Sequence, residues 1–311
     1  MNRAPSPAET TRVVPADLDG ARVDRAAARL FGFATAVARR LCADGRVRVD
    51  DRRAAAGDRV RAGQRLRATA AAAGWFVATG PVTALHVDDD VVVIDKPAGM
   101  PCHPLVPGEG GTVADAVVAA FPEVATAGVQ PREGGLLHRL DNATSGCLAF
   151  ARHRRAFDDL ARSMRDDAAS TETTKTYLAI VHGRVASGFV IDGAVDHEPG
   201  HPERMRLVDE GGRGARTVVT PRGSTETHSV VELSLHGGRR HQLRVHLAAR
   251  GHPLVGDVLY GAVRPAPPAA STFLLHAWRL GLPGRAVVQA PLPRPFLAAL
   301  TAYRLPWSSP S

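Results

Sequence analysis

Apolar residues recur along this chain with two different periods, and the switches between them mark out the elements. Residues 23–30 and 35–42 each carry small apolar side chains at helical spacing, with Gly32 between them. Gly45 ends the second helix, and Arg46-Val47-Arg48-Val49 then alternates as a half-buried strand does, with further alternating segments around Val60 and Leu66. Leu85-His86-Val87 and Val91-Val92-Val93-Ile94 flank Asp88-Asp89-Asp90 and predict a hairpin. Thr112 and Asp115 open a helix in the manner of a capping box, with Val113, Ala116, Val117 and Ala120 on one face. Phe157, Leu160, Ala161 and Met164 mark a second amphipathic helix, more in keeping with core than with a site.

Strand-like alternation dominates the second half, over residues 175–183, 216–220 and 228–235. A glycine turn at Gly238 then opens a helix that Gly251 and Pro253 stop. Many short strands among a few helices predict an α+β class. Residues 1–15 read as a loose lead-in, 16–70 as a small basic domain, 71–81 as an Ala- and Gly-rich linker, 82–305 as the main domain and 306–311 as a frayed tail.

Charge sharpens this division. The chain of 311 residues carries a net +8, and residues 16–70 hold 13 Arg, no Lys and 7 Asp, so most of the surplus lies in the small domain. A polyanion such as nucleic acid is the partner expected of such a footprint. Three cysteines in no paired spacing indicate neither a disulfide framework nor a zinc ribbon, and fit a reducing cytoplasm. Met1–Val14 lacks the apolar core of a signal peptide, and no segment has the roughly 18 apolar residues of a membrane span, so a soluble cytoplasmic protein is expected.

Two strings carry candidate chemistry. His197-Glu198-Pro199-Gly200-His201 satisfies the zinc-protease pattern, but that site needs both histidines one turn apart on a continuous helix, and Pro-Gly breaks one. A turn between strands is the better reading. Leu136-Leu137-His138-Arg139-Leu140-Asp141-Asn142-Ala143-Thr144-Ser145-Gly146 is different. A Pro- and Gly-rich loop feeds it and the apolar run Cys147–Phe150 leaves it, which places Asp141 where a buried strand meets a turn. Polar and cationic neighbours favour its charged form, and the leucines exclude water.

His-Arg-Leu-Asp, two free positions, then Thr-Ser-Gly resembles the signature of the RluA-type pseudouridine synthases, which isomerise uridine in structured RNA. The likeness extends to Lys96-Pro97-Ala98-Gly99 ending in His103-Pro104, and to the strand Lys175-Thr176-Tyr177-Leu178-Ala179. It continues through Gly238-Arg239-Arg240-His241-Gln242-Leu243-Arg244-Val245-His246, Gly251-His252-Pro253, Gly256-Asp257 and Tyr260-Gly261. Gly237 and Arg240 stand where threonines are usual. The Phe273–Ala277 and Ala290–Pro293 stretches are similar to the closing strand pair. Residues 16–70 resemble an S-four-like RNA-binding module, with Asp50-Asp51 in the turn where Asn-Gly is usual.

The resemblance implies a mixed, mostly antiparallel sheet with flanking helices and a cleft across it, beside the small α/β RNA-binding domain. It implies Asp141 as the essential carboxylate, Arg244 as the cation paired with it and Tyr177 against the target base. Arg139 is expected to fill the gap left by a flipped uridine, and His138 to orient the loop. Arg39, Arg40, Arg46, Arg48, Lys96, Arg239 and Arg240 are the expected RNA contacts, Lys96 being equally suited to covering a strand end. The reaction has no redox change or net hydrolysis, so neither cofactor nor metal is called for. The partner is RNA, ribosomal RNA ahead of transfer RNA, and a monomer is expected. The rival reading is a catalytically silent RNA-binding or ribosome-assembly factor on the same fold.

Overall fold

The computed structural model describes residues 9–31, 35–43, 45–69, 81–106, 109–165, 173–209, 211–261 and 272–307. It divides into two compact units, one formed by residues 1–80 with 103–119 and 130–133, the other by 81–102, 120–129 and 134–311.

In the first unit, helices α1 (Val23–Phe31) and α2 (Thr35–Ala43) accompany a sheet of β1 (Glu9–Val13), β2 (Val47–Val49), β3 (Arg52–Arg53) and β4 (Arg65–Thr69), ordered β1-β4-β2-β3. Ala26, Ala27 and Ala38 let the helices sit close over Leu41, Val47, Val60 and Leu66, all buried. Asp24 is fully buried in α1 and is neutralised by Arg22 (3.0 Å) and Arg39 (3.2 Å). One expectation is corrected here: residues 9–13 are no loose lead-in but an antiparallel strand along β4, as the β-branched Thr10, Thr11 and Val13 favour. Val60 is core, yet its segment makes only an isolated bridge, Arg22 with Arg59. Helix α3 (Val113–Ala120) starts on a reciprocal cap, Asp115 N–H to Thr112 Oγ1 (3.2 Å) and Thr112 N–H to Asp115 Oδ2 (2.8 Å).

The second unit is built on a ten-stranded sheet. Its strands are β5 (Thr83–Val87), β6 (Val91–Lys96), β7 (Ser145–Ala151), β8 (Thr174–His182), β9 (Phe189–Glu198), β10 (His201–Val208), β11 (Arg213–Ser224), β12 (His228–His236), β13 (Leu275–Gly281) and β14 (Val288–Gln289). The order is β10-β9-β11-β12-β8-β13-β7-β6-β5, with β14 on β13. Only β7 and β13 run parallel; every other pair is antiparallel, which is the mixed α+β architecture expected.

Helix α4 (Arg154–Arg165) lays Ala156, Leu160, Ala161 and Met164 against Val91, Val93, Cys147 and Ala149. Helix α5 (Gln242–Ala249) sets Val245 against Val195, Met205 and Ala215. The last helix, α6 (Arg294–Ala302), packs Phe296, Ala299 and Leu300 on Leu178, Ile180 and Trp278. Prolines hid this helix from sequence reading, since Pro295 lies in its first turn, where a missing N–H breaks no hydrogen bond. Trp307 then packs edge-on to Trp278 at 6.0 Å, so this residue, expected to fray, is half-buried against the core, while 308–311 lie outside the described residues, as does the expected linker up to residue 80.

His197 and His201 fall on opposite sides of the β9–β10 hairpin, with Gly200 turning at φ +79° between them. The two histidines share no helix.

Candidate active site

The Asp141 loop joins the second unit's core through its backbone. Leu137 N–H donates to Ala149 O (3.0 Å), and Ala149 N–H donates to His138 Nε2 (3.2 Å). Burial first, and then nearby Lys175, push the His138 ring down to about 3, so it is neutral with its proton on Nδ1. His138 thus anchors the loop to β7. Cys102 exchanges hydrogen bonds with the Leu140 backbone (3.2 and 3.4 Å), and Thr144 N–H closes the turn onto Asp141 O (3.0 Å).

Beneath the turn lies Lys96, which corrects an expectation. It is fully buried, and its Nζ donates to Pro97 O (3.0 Å), Asn142 O (2.9 Å) and Thr144 O (2.7 Å). An ammonium group with three donors spent on three carbonyls has none left for phosphate. Burial lowers its pKa to about 8, which keeps the ammonium form prevalent at neutral pH. Gly146 ends the turn at φ +108°, where an added Cβ would come within 2.2 Å of Ala277 O. Only glycine lets β7 and β13 meet there.

The opposite wall is the start of α5. Gln242 is buried and ties the Gly237–His241 turn together, its Oε1 accepting from Arg239 N–H (3.0 Å) and its Nε2 donating to Arg216 O (3.1 Å) and His236 O (2.9 Å). Gly237 takes φ +102°, a backbone that a threonine would strain, which accounts for glycine at this position.

Arg244 projects from this helix and makes the central contact. Its Nη1 donates to Asp141 Oδ2 (3.3 Å), while Nε and Nη2 grip Asp257 Oδ2 and Oδ1 (2.7 and 2.8 Å). Its guanidinium carbon lies 4.4 Å from the Phe273 ring centre and 4.9 Å from that of Tyr260. Burial opposes the charge on Arg244, but Asp257 and then Asp141 outweigh it and raise its pKa. The Asp257 side chain is 1% exposed and that of Asp141 25%, so one carboxylate is a structural clamp and the other faces solvent. Asp141, Arg244, Tyr177, Arg139, Thr144 and His241 line one cleft of about 60 Å³. Tyr177 is brought to it by β8, paired with Leu233 and Ala277.

The sequence pattern that defines the RNA pseudouridylate synthase family matches residues 90–249. The chain belongs to that family. A ribosomal large subunit pseudouridine synthase D of Nitrosomonas europaea is 36% identical over 74% of this chain and 68% of its own length. An uncharacterised RNA pseudouridine synthase of Mycobacterium bovis is 34% identical over 82% of this chain and 83% of its own. Among solved structures, human RNA pseudouridylate synthase domain containing 1 is similar at a TM-score of 0.56 and 27% identity, covering 73% of this chain and 90% of that one. The protein is accordingly an isomerase of uridine in RNA.

Arg239, Arg240, Arg39 and Arg48, among the other expected RNA contacts, have local partners. Arg239 donates from Nε to Gly214 O (3.1 Å), and Arg240 from Nη1 to Pro202 O (3.2 Å). Arg39 is engaged by Asp24, and Arg48 donates to Asp51 O (3.1 Å). Arg46 directly precedes β2, and the Arg40 side chain lies outside the described residues. Asp50 and Asp51 both adopt left-handed backbone (φ 45° and 67°) in the β2–β3 turn. Asp50 accepts from Arg65 N–H (2.8 Å), and Asp51 pairs with Arg65 and Arg67, so the turn's negative charge is answered inside its own sheet.

Asp257, Tyr260 and His241 belong to the motif strings of the sequence, which assign them no role. Nothing local indicates that a carboxylate thirteen residues beyond Arg244 closes on it.

Proposed function

We propose that this protein isomerises uridine in large-subunit ribosomal RNA, with Asp141 as the reacting carboxylate and Arg244 as the cation that orients it. The observation that carries this reading is the Arg244–Asp141 contact (3.3 Å) at a cleft shared with Tyr177. Asp257 and the two flanking rings fix the guanidinium in one plane, so a single oxygen of Asp141 is held and the carboxylate stays turned to the cleft.

The chemistry breaks the bond from C1′ to N1, turns the detached base and joins C1′ to C5, with the C5 proton lost to solvent and N1 taking up a proton in its place. Asp141 meets the sugar, and Tyr177 supplies a ring face for the base while it turns. Leu140, Leu235 and Leu275 line the same cleft and keep water from the detached base. A cleft of about 60 Å³ is far below the several hundred Å³ of typical ligand sites, so entry of a nucleotide displaces a side chain at its mouth. Arg139 suits that role, being exposed and having no hydrogen bond or ion pair among the described residues. Its movement into the RNA stack would replace the extruded uridine.

The relatives named for the ribosomal large subunit support that substrate. The two-helix, four-stranded first unit, with exposed arginines, supports an S-four-like RNA-binding role for residues 16–70. Neither cofactor nor metal is demanded by the reaction, and the protein is proposed to act as a cytoplasmic monomer with Cys42, Cys102 and Cys147 as thiols.

The test is tritium release from RNA labelled at C5 of uracil, taken from cells lacking the gene. Wild type is expected to release tritium from the large ribosomal RNA fraction and Asp141→Asn to release none. Release confined to transfer RNA would overturn the substrate, and turnover by Asp141→Asn would overturn the assignment of the carboxylate.

A further inference from the structure

His241 is the one strained residue in the cleft. It precedes α5 with a left-handed backbone (φ +55°), a conformation that a histidine adopts at a cost of about 1 kcal/mol or more. Its ring faces Asp141.

The hydrogen-bond pattern assigns its proton. Tyr260 Oη accepts from Met205 N–H (2.8 Å) and lies 2.8 Å from His241 Nδ1. The phenol has one hydrogen to give, and Nδ1 is the acceptor at hand for it, so the ring proton sits on Nε2. Burial, the leading influence, together with Arg244 and Arg240 outweighs the pull of Asp141 and Asp257 and keeps the ring neutral. Nε2–H therefore faces Asp141 Oδ1 at 3.9 Å, while the other oxygen, Oδ2, belongs to Arg244.

A donor and an acceptor 3.9 Å apart are too distant to bond directly. They are spaced for one group that both accepts and donates at a single atom, and among the groups of a uridine only a ribose hydroxyl does so. Uracil has only separate N–H and C=O groups. The reaction centre, C1′, must lie against Asp141, and the atom next to it in ribose carries a hydroxyl. We propose that His241 and Asp141 together hold the 2′-hydroxyl of the target ribose, His241 Nε2–H donating to it and Oδ1 accepting from it. His241 is then a specificity residue that reads ribose against deoxyribose at the target, and Tyr260 is the positioning residue that fixes its tautomer.

This inference rests on Asp141 meeting the sugar, and one experiment separates the two. The shortest RNA hairpin that wild type modifies is compared with the same hairpin carrying 2′-deoxyuridine only at the target, by dissociation constant and by single-turnover rate. Wild type is expected to prefer the ribose target by roughly a hundredfold, the loss of two buried hydrogen bonds, one of them to a carboxylate. In His241→Gly, which relieves the backbone strain and removes the donor, the preference is expected to fall by roughly tenfold, the hydrogen bond to Asp141 being kept. Tyr260→Phe should erode it in the same direction, with thermal melts confirming that both variants fold. An equal preference in wild type and His241→Gly, or a penalty from His241→Gly that is the same for both hairpins, overturns the proposal. Turnover retained by Asp141→Asn would instead overturn the reading of the site on which it depends.

Discussion

At the scale of single residues, the site depends on cations held by several partners at once. Arg244 gives two hydrogen bonds to Asp257 and one to Asp141, so Asp257 decides where the guanidinium points. Asp257→Asn replaces one acceptor oxygen by an NH₂ group and leaves a buried cation short of a partner. We expect single-turnover rates to fall by about 100-fold and stability by about 3 kcal/mol. RNA affinity should change little, and filter binding with rapid quench would show the split. Lys96→Met keeps the aliphatic stem but strands three carbonyls that now receive its ammonium protons. Stability should drop by about 2–4 kcal/mol, read by urea denaturation, while the salt dependence of RNA binding stays as in wild type. A reduced salt slope in that variant would restore Lys96 to the phosphate contacts.

At the scale of elements, the close parallel contact between β7 and β13 is the joint on which the Asp141 loop turns. Ser145 pairs with His276 and Gly146 with Ala277, and Ser145 Oγ meets His276 Nδ1 at 2.9 Å. Gly146→Ala would drive a Cβ into the Ala277 carbonyl and force an L side chain into φ +108°. Either the strands part or the loop shifts. The expected outcome is loss of soluble protein or, where it folds, activity below one-hundredth of wild type by tritium release. In the first unit, Arg39 neutralises an aspartate that is wholly buried within α1. Arg39→Ala should therefore lower stability as well as RNA affinity, whereas Arg46→Ala should reduce the salt slope of RNA binding by about one.

At the scale of the whole molecule, buried neutral histidines set the acid limit. His246 and His276 are fully buried, and burial brings each down to about 4 from an ordinary value of 6.5. In the unfolded chain they titrate near 6.5, so below that pH the unfolded state binds more protons and stability falls as the pH falls toward 4. Each contributes up to about 3 kcal/mol of loss across that window. Melting temperature should decline steadily from pH 6.5 to 4, and His276→Gln should flatten part of the decline. A melting temperature constant over that range would contradict the neutral, buried assignment.

Much of this architecture is local and was legible in the residues themselves. The helices α1, α2 and α4, the β5–β6 hairpin and the β8 and β12 strands follow from periodicity, because an amphipathic pattern needs only the near sequence to choose its face, and α5 follows from its glycine start and its Gly251–Pro253 stop. Asp141, Arg244 and Tyr177 were marked by motifs, and the fold brings all three to one cleft. Strand β1 and helix α6 were not legible: the first depends on a partner, β4, more than fifty residues away, and the second begins on prolines whose missing N–H matters only in a helix interior. The same limit applied to Lys96, since a lysine's stem and ammonium fit a phosphate or a nest of carbonyls equally well until burial is known. Sequence alone determined which residues could perform the chemistry, because reactivity resides in side-chain type and short spacing. Tertiary structure alone decided that Asp257 clamps Arg244, that Lys96 serves the loop and that His241 faces Asp141, because those contacts join segments whose meeting no local pattern encodes.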